Sequence, residues 1–157
     1  MHEFLAVRVS DAMTPDPIVI EPATTLAEVE AIFAVYNFNG LPVVGPRNRL
    51  LGVLTKLDVL KAFRFTPGSL IPPYEETMSR TVEPFMTREP VTVTPSTPLT
   101  RVLEEMVRTR YKSLPVVQAG RLVGIVARED VLAALRRVAG SASVPAGAGR
   151  ASRSLGR

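Results

Sequence analysis

GVLTKLDVL, Gly52 to Leu60, compresses a buried strand, a polar turn and a helix start into nine residues. It recurs as GIVAREDVL, Gly124 to Leu132. Working outward, Val-Ser-Asp-Ala-Met-Thr before the first copy matches Val-Glu-Pro-Phe-Met-Thr before the second, setting Met13 on Met86. Pro17-Ile18-Val19-Ile20 falls on Pro90-Val91-Thr92-Val93, Pro22 on Pro95, Leu26 on Leu99, and Leu41-Pro42-Val43-Val44 on Leu114-Pro115-Val116-Val117. The offset is 73 residues up to that point and 72 afterwards, so the second copy has lost one residue in the turn after Val117. The chain is an internal duplication.

Each copy reads as β-α-β-β-α. In the first, Ile18 to Ile20 is a short strand between Pro17 and Pro22. Thr24 or Thr25 then caps a helix with Leu26, Val29, Ile32, Phe33 and Tyr36 at three- and four-residue spacing. A hairpin turns through Gly45, Pro46 and Asn48, and Thr55 to Phe63 closes the unit as a helix. The second copy repeats this with strand Val91 to Val93, a helix from Leu99 to Arg108, a hairpin turning at Ala119-Gly120, and a helix from Asp130 to Val138. Val9 to Met13 reads as a helical turn that Ser10 or Asp11 can cap.

A unit of about 50 residues is marginal alone. The expected fold is therefore α+β, a tandem pair of β-α-β-β-α units packed sheet to sheet and sharing a core. The divisions are a lead-in over 1–8, repeats over 9–63 and 82–138, a crossover linker over 64–81 with a short helix from Glu75 to Arg80, and a mobile tail over 139–157.

Composition narrows the function classes. With 46% apolar and 22% charged residues the chain is globular in type. It has no cysteine, which excludes disulfides and thiolate chemistry. Its one histidine, His2, lies in the lead-in, leaving zinc sites and Ser-His-Asp triads without a member. No apolar run approaches a bilayer span and the N-terminus lacks a signal-peptide pattern, so the expected location is the cytoplasm, with no membrane. The net charge of +4 is concentrated at the end: five arginines and no acid from Arg136 onward, against 14 basic and 15 acidic groups before it. A near-neutral body argues against nucleic acid as the partner. No catalytic residue, metal site or required cofactor is expected.

The doubled order of Met-Thr, Leu-Pro-Val-Val and Gly-hydrophobic-hydrophobic-Thr-x-x-Asp resembles the CBS domain family, and two such units resemble a Bateman module. The resemblance covers roughly Val9 to Leu135. It implies a pseudo-twofold disc with two clefts between the repeats. It also implies an adenosine-containing ligand such as AMP, ADP, ATP or S-adenosylmethionine, regulation of a partner protein, and a homodimer. In the family pattern Thr55 takes a phosphate and Asp58 the ribose; the same Thr-x-x-Asp is also close to a capping box. In the second copy Ala127 replaces the threonine, while Asp130 remains. Arg128 and Lys112 are then either an anion pocket with Asp130 or solvated surface charges. The base needs an apolar slot, for which Ile18, Ile20, Leu41, Val91, Val93 and Val116 are candidates, all equally suited to the core. The competing reading is a ligand-free module for dimerisation or protein interaction, with Leu60, Phe63, Leu132 and Leu135 on the contact face.

Overall fold

The computed structural model describes residues 2–64, 67–68 and 73–142. Most of the expected tail lies outside the described residues, as does much of the crossover. Helices α1 (His2–Leu5) and α2 (Val9–Ala12) lead into a two-residue strand β1 (Thr14–Pro15). Then come α3 (Leu26–Val35), β2 (Gly40–Gly45), β3 (Arg49–Thr55) and α4 (Lys56–Lys61). After α5 (Tyr74–Met78), the second copy follows as β4 (Thr87–Arg88), α6 (Leu99–Thr109), β5 (Ser113–Gln118), β6 (Arg121–Ala127) and α7 (Arg128–Ala142).

Two antiparallel hairpins, β2–β3 and β5–β6, carry the architecture. The second turns on Ala119 and Gly120, both at positive φ (52° and 77°), the geometry a two-residue hairpin loop demands. The first needs one residue more, a 3-10 turn over Pro46–Asn48 with Arg47 and Asn48 left-handed. This is the residue the second copy lacks. The tips meet: Arg49 pairs with Arg121, Leu50 N donates to Gly120 O (3.2 Å), and Asn48 Nδ2 donates to Leu122 O (2.6 Å). Hydrogen bonding therefore runs from one repeat into the other, giving a six-stranded sheet.

The expected strands at Ile18–Ile20 and Val91–Val93 shrink to single parallel bridges, Ile20 to Val43 and Val93 to Val116. Prolines at 17, 22, 90 and 95 have no N–H to extend the ladder. The short pairing strands lie earlier, and they are exchanged. Thr14-Pro15 pairs with Ile125 and Gly124 of the second repeat, and Thr87-Arg88 with Val53 and Gly52 of the first.

Packing follows the exchange. One core gathers Ile20, Leu26, Val29, Leu41, Val43 and Leu54 with Met78, Val82 and Met86. The other gathers Val93, Leu99, Val102, Leu114, Val116 and Val126 with Phe4 and Val9. Backbone bonds fix the crossings: Val9 N to Thr97 O and Leu99 N to Val7 O on one side, Leu26 N to Arg80 O and Val82 N to Thr24 O on the other (2.8–2.9 Å). Each core thus borrows the segment that precedes the other repeat, so neither is closed without its partner.

Local chemistry explains the helix ends. Thr25 caps α3 in a reciprocal box with Glu28. Its counterpart, Pro98, has no side-chain acceptor, and α6 instead stops at Arg110 in the left-handed region (φ 63°). Tyr36, expected on the inner face of α3, is 46% exposed and stacks on Phe38. In α2 the capping contact comes from Asp11, whose carboxylate accepts Arg8 N (2.9 Å).

Candidate functional site

Strand exchange opens a cleft of about 330 Å³ between the repeats. The first repeat supplies Asp16, Pro17 and Ile18, which follow directly on the exchanged strand β1, and the Asn37–Pro42 segment that ends α3 and begins β2. From the second come Ser113, Ile125 and Ala127, with Glu129 and Asp130 in the first turn of α7. Because Thr14 pairs with Ile125, Ile18 is carried across to face the start of a helix more than 100 residues later. Three of the expected site residues, Ile18, Leu41 and Asp130, line this one cleft.

Asp130 is half-buried and Oδ2 accepts Ala127 N at 2.7 Å. Loss of hydration raises its pKa above 3.8; the Ala127 N–H lowers it and the neighbouring Glu129 charge raises it further. Among the described residues no other donor reaches this carboxylate, so its second oxygen is open to a ligand hydroxyl.

Asp58, its counterpart, is 2% exposed. Its Oδ2 accepts both Thr55 N (2.9 Å) and Thr55 Oγ1 (3.0 Å), its Oδ1 accepts Lys61 Nζ (3.3 Å), and Thr55 Oγ1 accepts Asp58 N (3.2 Å). The Thr-x-x-Asp turn is therefore a complete capping box on α4, with both side chains engaged internally.

The remaining candidates scatter. Ile20, Val93 and Val116 are buried in the two cores, and Val91 is half-buried against the second. They build walls behind the strands and line no part of this cleft. Of the expected anion pocket of Arg128 and Lys112 with Asp130, the Arg128 arm is turned away from the carboxylate. The Arg128 guanidinium donates to the carbonyls of Tyr111 (3.1 Å) and Arg110, and Arg128 N donates to Lys112 O (3.0 Å). A helix C-terminus presents unpaired carbonyls and the negative end of its dipole, and α6 draws the arginine there. Arg128 instead borders an apolar hollow with Leu103, Val107, Leu132 and Leu135. Asp16, Asn37, Asn39 and Glu129 also line the cleft, and no single motif in the sequence marks them. One signal was present: an acidic residue precedes the proline in both copies, Asp16-Pro17 and Glu89-Pro90, and both acids are left-handed (φ 46° and 49°).

Among the described residues no His, Cys, Asp and Glu cluster could hold a metal ion, and no helix is long and apolar enough to cross a membrane.

Comparison with known proteins places these features. A 17.7 kDa protein of Acidianus ambivalens is 30% identical over 132 residues, which is 83% of this chain and 74% of that one. An inosine-5′-monophosphate dehydrogenase of Methanocaldococcus jannaschii is 30% identical over 134 residues, but the match spans only 24% of that enzyme. Among solved structures, CBSX2 in complex with AMP superimposes with a TM-score of 0.73 at 28% identity, covering 85% of this chain and 99% of that one. The CBS domain pair of protein MJ0100, in complex with 5′-methylthioadenosine and S-adenosyl-L-methionine, gives 0.66 at 28% identity, covering 87% and 98%. The CBS domain family model matches residues 9–64 and again 82–137, and the chain belongs to that family as a tandem pair.

Proposed function

We propose that this chain is a non-catalytic regulatory module that binds an adenosine-containing ligand between its repeats and signals occupancy to a partner protein. The observation that carries the reading is the cleft itself: the unused oxygen of Asp130 stands across from the apolar edge of Ile18 and Leu41. A carboxylate accepts from both hydroxyls of a ribose, and an apolar slot takes a purine. Two similar pairs crystallised with AMP, or with methylthioadenosine and S-adenosylmethionine, support the same class. A ligand held by both repeats favours one inter-repeat geometry over another, which is how occupancy becomes a signal.

Thermal unfolding with AMP, ADP, ATP, S-adenosylmethionine and GTP tests it. At 100 times its dissociation constant a ligand adds about 2.7 kcal/mol, a rise in midpoint of roughly 5 to 10 °C for a domain of this size. A rise with an adenosine compound and none with GTP is expected; no rise at millimolar concentration rejects the reading.

A second reading, a dimerisation or interaction module, has its own observation. Leu57, Leu60, Val107 and Leu132 are 54–73% exposed on the helical side. Burying such a surface against a second copy gives a homodimer in either reading.

A further inference from the structure

The charges around the cleft are one-sided. Three of its lining residues are carboxylates, Asp16, Glu129 and Asp130, and none is a lysine or arginine. The nearest arginine in sequence, Arg128, keeps its charge but turns its guanidinium to the carbonyls of Arg110 and Tyr111 rather than into the cleft, and the turn position that carries a hydroxyl in Thr55 is Ala127 here. The N-terminus of α7, which would otherwise attract an anion, already has Glu129 and Asp130 in its first turn, with Asp130 on the Ala127 N–H. The duplication supplies an internal contrast. Asn37 and Asn39, which line this cleft, correspond to Arg110 and Lys112 in the other copy, and Glu129 corresponds to Leu57. Asp16 and Asp130 have acidic counterparts in Glu89 and Asp58, so what sets this cleft apart is the added Glu129 and the asparagines where the other copy has Arg110 and Lys112.

We infer that the Asp130 cleft selects among adenosine ligands by charge: it takes an uncharged or sulfonium-bearing adenosine derivative and turns away 5′-phosphates. This rests on the adenosine reading above. A ribose donating to Asp130 leaves the 5′ substituent inside a space of about 330 Å³. Anything there stays within about one Debye length, ~8 Å at physiological salt, of the three carboxylates. A phosphate is repelled by all three and finds no cation among the lining residues, whereas a sulfonium is attracted and a thioether is indifferent.

Titration calorimetry of the full chain with 5′-methylthioadenosine, S-adenosylmethionine and AMP, repeated in Asp130→Ala, reads the cleft as the affinity that this substitution removes. The expected result is Asp130-dependent binding of methylthioadenosine or S-adenosylmethionine at least ~10-fold tighter than AMP. In Asp16→Asn with Glu129→Gln, the AMP disadvantage should shrink roughly threefold or more, as repulsion is removed. Asparagine accepts the left-handed backbone at position 16. AMP bound as tightly as methylthioadenosine, or an unchanged ratio in the neutralised variant, overturns charge selection while leaving adenosine binding intact. Failure of all three compounds to bind brings down the adenosine reading and the selection with it.

Discussion

A Cβ on Gly124 would stand 2.7 Å from Sδ of Met13, a residue of the other repeat. Gly52 is under the same constraint, since its Cβ would meet Thr87 O at 2.5 Å. The glycine opening each copy of the repeated stretch is thus the point where the exchanged strand crosses at close range.

Both alanine substitutions should therefore destabilise. At Gly52 the obstructing atom is backbone, so Gly52→Ala should exceed Gly124→Ala, where a methionine side chain can partly yield, although Thr14 O still stands 2.9 Å away. About 1–3 kcal/mol is expected for each. Urea denaturation checks the order; equal stability to the parent would show that the crossing is loose.

The two aspartates should separate in their effects. Asp58→Ala strips Thr55 N, Thr55 Oγ1 and Lys61 Nζ of their acceptor and should cost about 1–2 kcal/mol. Asp130→Ala breaks one cap bond, so thermal unfolding should fall less, while calorimetry should register the loss of the adenosine ligand.

Asp130 also gives a pH dependence. Its folded pKa is raised by burial above 3.8, so protonation is favoured in the folded state. The stability it contributes is present below the unfolded value and is lost as pH rises through the folded pKa. Ligand binding runs the other way, because ribose hydroxyls donate to the ionised form. Affinity should weaken as pH falls through that raised pKa, and the Asp130→Asn variant should lack this step when the titration is carried down from neutral pH.

On the helical face, Leu60 and Leu132 are equivalent by the duplication and 66% and 54% exposed. If the chain forms the homodimer proposed above, changing both to glutamate should leave the monomer's stability within about 0.5 kcal/mol and halve the mass seen by light scattering. An unchanged dimer would place the contact elsewhere.

Much of this was legible in the chain. The repeated GVLTKLDVL pattern located both hairpins, the lost residue located the shorter turn, and Thr24-Thr25 located a cap that the structure gives to Thr25, because each depends on neighbours within a few positions. The site was less legible. Thr-x-x-Asp satisfies a helix end and a ribose with the same atoms, so one copy could not tell the two uses apart. The structure gives the box to Thr55 and Asp58, while Ala127, lacking a hydroxyl, leaves Asp130 half-satisfied.

The sequence by itself determined that the molecule is a duplicated α+β unit, since periodicity and turn chemistry are local and survive in each copy. Only the tertiary structure decided which residues share a cleft. Strand exchange seats Thr14-Pro15 on the second repeat and so brings Ile18 opposite Asp130, while the carbonyls ending α6 hold Arg128 away. Those pairings join segments more than 100 residues apart or turn on the direction of one flexible side chain, and neither leaves a period or a spacing in the chain.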